Sequence, residues 1–168
     1  GSEMCIRDRI APVKMLDLPQ IMAIEKSGFS EAEAGSEAAY RERIEKLADT
    51  FLVARDGAVV LGFIVGPAVG ARYIEDEMFV ETPTNLPRGG HQLVFTLAVS
   101  PLARHQQIGS QLLTALAEKA QADGRTSMAL TCLERLIPFY ERNGFINQGV
   151  ANSEHAGETW YNLEKVWD

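Results

Sequence analysis

Between Gln92 and Cys132 the sequence changes its period twice, and no other feature restricts the fold as much. The run "QLVFTLAVS" is apolar and rich in strand-favouring residues, and Pro101, with no N–H to give to a ladder, ends it. Apolar side chains then recur at Ile108, Leu112, Leu116 and Ala120, which places one helical face over about Gln106 to Asp123, with Gly124 as the stop. A second strand, "TSMALTCL", follows. A helix set between two strands has to lie against the sheet they build, so the chain belongs to the α/β class, with a mixed sheet.

The flanking sequence supplies the other elements. Ile10 to Val13 is a short apolar segment. Asp17 is placed to cap a helix through "LPQIMAIEKSGF", whose Leu18, Ile21, Met22 and Glu25 fall at helical spacing and which ends near Gly28. "SEAAYRERIEKL" repeats the pattern, with Ser36 as its cap and Tyr40, Ile44 and Leu47 on one face. "TFLVARDGAVVLGFIVG" is two apolar runs joined at Asp56-Gly57, a hairpin signal. From Pro67 to Gly90 the periodicity is lost, and a loop of that length in a compact domain is often a lid or a binding loop. Farther on, a short helix through Pro138, Phe139 and Tyr140 stops at Asn143-Gly144, and two strand-like runs surround Ile146 and Trp160 to Val166. The expectation is one domain over residues 10–168, with Gly1 and Ser2 a cleavage scar and residues 3–9 a flexible leader.

Composition narrows the class of partner. A chain of 168 residues, 46% hydrophobic, has material for one core. Its net charge of −7 repels nucleic acid and anionic membrane surfaces and suits a cationic small molecule. Cys5 and Cys132 are too few for a disulfide framework and lack the clustering with His of a zinc site, so a reduced, cytoplasmic setting and no metal are expected. No apolar run approaches the roughly 20 residues of a membrane span, and the N-terminus has no apolar core of a secretory signal. A monomer and a homodimer are both compatible with the sequence.

The joint "SPLARHQQIGSQLL" is where chemistry is expected. A helix starting there aims its free N–H groups and positive dipole end into the loop, Gly109 admits close approach of a ligand, and Arg104 complements a phosphate. A plain strand-to-helix joint with a small residue for packing has the same sequence, so the joint alone leaves both readings open.

Together with its neighbours the joint resembles a known family. "LAVSPLARHQQIGSQLL" is similar to the acyl-CoA-binding motif of the GNAT superfamily of N-acetyltransferases: Arg or Gln, two residues of any kind, Gly, one of any kind, then Gly or Ala. Arg104 and Gly109 match its ends, and Gln107 stands where the first Gly belongs. "LTCLERLIPFYERNGF" resembles the superfamily's second signature, a short helix with Phe-Tyr followed by Gly-Phe. Two motifs in the right order are far more specific than either. The combination "RGGH", "LAVS", "RHQQ", "LTC", "LIPFYERNGF" and "GETWY" most resembles the arylalkylamine (serotonin) N-acetyltransferase branch and its bacterial relatives. Where the vertebrate enzymes of that branch carry two histidines on the central strand, this chain has Leu93 and Phe95, so no proton wire built on them carries over. The resemblance implies an α/β (α+β) GNAT fold, a mixed, mostly antiparallel central sheet of about six or seven strands with about four helices.

It also implies roles. Acetyl-CoA would be the co-substrate, its pantetheine pairing with the main chain of Leu97, Ala98 and Val99 like an added strand, while Arg104, His105, Gln106, Gln107, Ile108, Gly109 and Ser110 hold the phosphates. Tyr140 would protonate the leaving thiolate, although a packing aromatic explains it equally without the family. A primary amine has a pKa of about 10 and must lose a proton before it attacks. His91, Glu134 and a water chain are the candidate acceptors; Glu75, Asp76 and Glu77 lie on the loop. Phe29, Tyr73, Met78 and Phe79 would line the acceptor slot. The activity implied is direct acetyl transfer to a small primary amine, arylalkylamine-like or a polyamine. Transfer to a peptide N-terminus, a lysine or an aminoglycoside, and an acyl-CoA-binding regulatory module without catalysis, remain the alternatives. Cys132 reads as a buried strand residue, since direct transfer needs no acyl-enzyme.

Overall fold

The structure is a computed structural model that describes residues 9–29, 34–104, 107–153 and 155–167. Its contacts gather into two compact units, one running to Val65 and resuming over Thr96–Leu116, the other comprising Gly66–Phe95 and the chain from Ala117 onward.

In the first unit, β1 (Ile10–Pro12), β2 (Phe51–Asp56), β3 (Val59–Val65) and β6 (Thr96–Val99) form an all-antiparallel sheet in that order. The hairpin between β2 and β3 turns at Gly57 and Ala58, one residue beyond the expected Asp56-Gly57 because Asp56 still pairs with Val59, and Gly57 has φ +60°, the left-handed backbone that such a tight turn needs. Helix α1 (Leu18–Gly28) buries Leu18, Ile21, Met22, Ile24 and Glu25, and α2 (Glu37–Lys46) buries Tyr40, Arg43 and Ile44. Ser36 caps α2 as its sequence implies, its Oγ accepting the Ala39 N–H at 3.1 Å. Tyr40, Phe51 and Phe63 meet with ring centroids 5.7–6.3 Å apart at the centre of this unit's core.

Asp17 does not cap α1. Its carboxylate is taken instead by the Arg55 guanidinium on β2, through two bonds of 2.7 Å, and by the Lys14 N–H at 2.9 Å. Burial alone would raise the Asp17 carboxyl, but these donors and the charge of Arg55 outweigh it and hold it below the usual carboxylate range. A buried acid beside a guanidinium gains more from a bidentate pair than from one helix N–H.

In the second unit, β4 (Ala68–Val69), β5 (His91–Val94), β7 (Ser127–Cys132), β9 (Tyr161–Val166) and β8 (Ile146–Val150) form a mixed sheet in that order, parallel only between β5 and β7. All five residues of the edge strand β8 are exposed; its register shifts between Asn147 and Val150, and the Gly149 N–H donates to Asn147 Oδ1 at 2.8 Å. The stretch expected as a loop, Pro67 to Gly90, contains β4 and the single-turn helix α3 (Glu77–Val80). Both are too short to leave a period in the sequence. Helix α4 (Ile108–Ala122) buries Ile108, Leu112, Leu116 and Ala120, as its spacing predicts; the expected start at Gln106 lies outside the described residues. The short helix α5 (Ile137–Arg142) ends at Gly144, φ +89°.

The run "QLVFTLAVS" is two strands, not one. β5 belongs to the mixed sheet and β6 to the antiparallel one, with a bend at Phe95. Carbonyls freed from a ladder must find other donors, and the wholly buried Gln92 supplies them: its Nε2 donates to Gly66 O (3.0 Å) and Leu93 O (2.8 Å). Gly66 itself lies so close to the Leu93 carbonyl that a Cβ there would overlap it. The Phe95 ring leaves the strand line and stacks on Phe79, centroids 4.8 Å apart.

Candidate active site

The acyl-CoA motif residues lie at one edge of the first unit. β6 is the terminal strand of its sheet, paired with β3 on one side only. The Ser100 N–H donates to Leu61 O at 2.8 Å, which makes Ser100–Leu61 a hydrogen-bonded pair. Antiparallel ladders alternate, so the Val99–Gly62 and Leu97–Ile64 pairs are the non-bonded ones, and the N–H and C=O groups of Leu97 and Val99 point away from β3. Ala98, between them, spends its main chain on β3 and its side chain on the core. Of the three residues the sequence assigned to pairing with pantetheine, Leu97 and Val99 have main chain free to do so, and Ala98 does not.

Beyond β6 the chain makes a short 3-10 turn over Pro101–Ala103, braced by Ser100 Oγ accepting the Leu102 N–H at 3.3 Å, and reaches the exposed Arg104. His105 and Gln106 lie outside the described residues. Gln107 has φ +57°, a left-handed backbone that few non-glycine residues adopt, and its carbonyl accepts the Gln111 N–H at 3.1 Å to open α4. The position where the motif has glycine therefore takes glycine's conformation while carrying a glutamine side chain. Ile108 is buried, and Gly109 and Ser110 occupy the first turn of α4, whose N–H groups have no partners within the helix. A left-handed residue leading into free helix N–H groups is a backbone cradle suited to a diphosphate.

The second unit carries Tyr140. It sits on α5, 7% exposed, with its ring edge-on to Phe139 and Phe145 at 5.0 and 5.8 Å. Among the described residues no group hydrogen-bonds its hydroxyl. Burial first, and the neighbouring Cys132 next, raise its phenol above the ordinary range, so it stays protonated at neutral pH. Cys132, at the end of β7, is itself buried and its thiol is pushed up to about 11 by desolvation. A neutral thiol at that place fits a structural residue better than a nucleophile.

The two side-chain base candidates are not beside Tyr140 in equivalent ways. Glu134 is exposed at the start of the 3-10 turn Glu134–Leu136 that links β7 to α5. His91 begins β5 and meets Ser127, the first residue of β7, with Nδ1 and Oγ 2.7 Å apart. Cys132 ends the same strand five residues later, which at about 3.3 Å per residue puts roughly 16 Å between the two ends. His91 belongs to a different cluster, in which the buried Glu164 takes Arg72 through bonds of 2.7 and 2.6 Å. The Arg72 bonds, with smaller help from His91 and Ser127, hold the Glu164 carboxyl below its ordinary range against the opposing effect of burial.

Of the residues expected to line the acceptor slot, Tyr73 is half-buried with the Arg72 guanidinium 5.0 Å from its ring centroid, and Met78 and Phe79 are half-buried on α3. Phe29 packs against the aromatic core of the first unit. Glu75, Asp76 and Glu77 are exposed, and Asp76 accepts a bond from Ser153 Oγ at 2.9 Å. Among the described residues no group of three or more His, Cys, Asp or Glu side chains could hold a metal, and no helix is long and apolar enough to cross a membrane.

Residues 18–145 match the family model described as the acetyltransferase (GNAT) family. No curated protein sequence matches this one. Solved structures resemble it over nearly its whole length. Ard1 from Thermoplasma volcanium gives a TM-score of 0.74 at 19% identity, covering 94% of this chain and 95% of that one. Arabidopsis thaliana Naa50 in complex with the bisubstrate analogue CoA-Ac-MVNAL gives 0.72 at 16% identity, covering 94% and 97%. The GphF GNAT-like decarboxylase in complex with isobutyryl-CoA gives 0.78 at 16% identity, covering 94% and 98%. At such identities the likeness is one of fold.

Proposed function

Because this chain belongs to the acetyltransferase (GNAT) family, we propose that it transfers an acetyl group from acetyl-CoA directly to a small primary amine, an arylalkylamine ahead of a polyamine. The amine attacks the thioester carbonyl carbon, the Leu97 or Val99 N–H steadies the oxyanion, and Tyr140 gives its proton to the departing CoA sulfur. Arg104, Gln107 and the first turn of α4 take the diphosphate. Tyr140 is the observation that carries this reading: a buried phenol, raised by burial, that meets no hydrogen-bonding group among the described residues. A hydroxyl that is not spent on the fold is one that a ligand can use. The acidic balance of the chain favours a cationic acceptor.

A second reading, transfer to a peptide amine, draws support from the fold shared with Naa50, whose structure holds a CoA-Ac-MVNAL analogue. Release of free CoA thiol from acetyl-CoA, with tryptamine, phenylethylamine, spermidine, an aminoglycoside and a peptide offered separately, distinguishes them. Turnover with the aryl amines, lost in Tyr140→Phe, supports the first reading. Turnover with the peptide alone selects the second. CoA binding without transfer to any amine leaves a regulatory acyl-CoA-binding module.

A further inference from the structure

The first unit buries an acid that the chemistry above does not use. Glu25 lies on the apolar face of α1, 2% exposed. Its Oε2 accepts the Gly35 N–H at 2.6 Å, whereas Oε1 is buried with no partner among the described residues. The Tyr40 hydroxyl lies within hydrogen-bonding reach of this carboxylate and 3.3 Å from Thr96 Oγ1. The packing is tight, since a Cβ on Gly35 would come within 2.9 Å of the Tyr40 ring and 3.3 Å of Glu25 Oε2. Among the described residues, Arg43, whose guanidinium stands 4.7 Å from the Tyr40 ring centroid, and Tyr40 are the charged and titratable groups that face Glu25, both from α2. Thr96 is only half-buried; it opens β6, one residue before the outward-facing main chain of Leu97.

Holding one backbone N–H does not call for a carboxylate; an amide oxygen would do it without the cost of desolvating a charge. What a carboxylate adds is a charge to face Arg43 and the ability to take up a proton, and the contacts above lead from it to the half-exposed end of β6. We propose that Thr96, Tyr40 and Glu25 form a proton relay that deprotonates the acceptor ammonium, with Glu25 as its terminal base. This rests on the N-acetyltransferase reading. Thr96 Oγ takes the ammonium proton as its own hydroxyl proton passes to the Tyr40 oxygen and the Tyr40 proton passes to Glu25. The freed nitrogen keeps its lone pair for the thioester carbon. After the product leaves, the proton returns along the same chain to solvent. Both hydroxyls donate and accept, so their contact serves either direction. At 3.3 Å the contact is toward the long end for an O–H···O bond, and proton transfer along it requires it to shorten. Burial raises the Glu25 carboxyl above the usual carboxylate range, against the opposing pull of Gly35, Tyr40 and Arg43, which brings it toward the pH at which a base works best.

Two measurements test the relay. In the first, Glu25→Gln, Tyr40→Phe, Thr96→Val and Thr96→Ser are assayed for thiol release between about pH 6 and 9 with whichever amine turns over, alongside acetyl-CoA affinity and Tm. The first three should lower kcat by roughly 10²-fold and remove the acid limb of the kcat/KM profile at unchanged acetyl-CoA affinity, with Thr96→Ser close to wild type. Wild-type kcat and pH profile in Glu25→Gln or Thr96→Val overturn it, and so does a lowered Tm with the profile intact, since a merely structural carboxylate would give that. The second measurement needs no acceptor: difference infrared spectroscopy of wild type against Glu25→Gln reads the Glu25 carboxyl directly. Titration above the ordinary range, displaced by Thr96→Val, supports the relay; titration in the ordinary range, or indifference to Thr96→Val, overturns it. Acetyl transfer to no amine with a displaced carboxyl titration would count against the transferase reading and not against the relay.

Discussion

Tyr40 and Tyr140 are both phenols sealed among aromatic rings, one in each unit, and burial raises both, yet their hydroxyls are treated in opposite ways. Tyr40 is wired in: its oxygen lies between Thr96 and Glu25, and its ring is the hub of Phe51 and Phe63. Tyr140 is also packed among rings, those of Phe139 and Phe145, but no group among the described residues hydrogen-bonds its oxygen. Burial by itself therefore does not mark a functional tyrosine. What differs is the use each hydroxyl allows: one bonded on both sides can pass a proton along, and one with no internal partner can give its own to a ligand.

The strongest way to break the comparison is to remove the hub. Tyr40→Ala should cost about 3–5 kcal/mol in denaturant unfolding, the range for deleting a large core ring; a loss below about 1 kcal/mol would show that the ring is not central. Next comes Tyr140→Phe, which should lower turnover about 10²-fold while changing unfolding free energy by less than about 0.5 kcal/mol, because no internal bond is lost. A destabilisation like that of an ordinary buried hydroxyl would mean that Tyr140 is wired in as Tyr40 is.

Asp17 offers a smaller test of a fully wired polar group. Asp17→Asn should cost about 1–2 kcal/mol at neutral pH, since an amide cannot receive two Arg55 donors and the Lys14 N–H with the same charge. The folded carboxyl is held below its ordinary value of 3.8, so its contribution is complete above that value and is lost as pH falls through the lower, folded pKa. The gap between wild type and variant in Tm should close with acidification. The smallest effect belongs to Gln107. Gln107→Gly relieves a left-handed glutamine but loosens the unfolded chain, and should raise stability by about 0.5 kcal/mol net. A fall in stability would show that the Gln107 side chain holds the turn.

Some of this contrast was legible in the sequence. Asp56-Gly57 places its turn to within one residue, Ser36 names its cap, and Ile108, Leu112, Leu116 and Ala120 their face, because each signal is local and each answer is set by neighbouring residues. The division of "QLVFTLAVS" was not, since an apolar run reads as one strand whether it serves one sheet or two; what divides it is Gln92 reaching back to Gly66, 26 positions away. Tyr140 was found through its motif, and its open hydroxyl only through the fold. Glu25 did leave a signal: it falls on the same stripe as Leu18, Ile21 and Met22, and an acid on an apolar face asks for a partner. Its partner Tyr40 comes from 15 residues away, and Thr96, which Tyr40 bonds in turn, from 71, which no spacing rule reaches.

The edge strand β8 bears on how the protein behaves in company. Ile146 and Val150 are exposed on it, and a flat edge of that kind would be an invitation for a second chain to add itself. The shifted register after Asn147, and the Gly149 N–H turned inward to the Asn147 side chain, interrupt the row of groups such a visitor would need. At high concentration the sheet has no template there to extend, and the two apolar side chains are left as isolated points of contact.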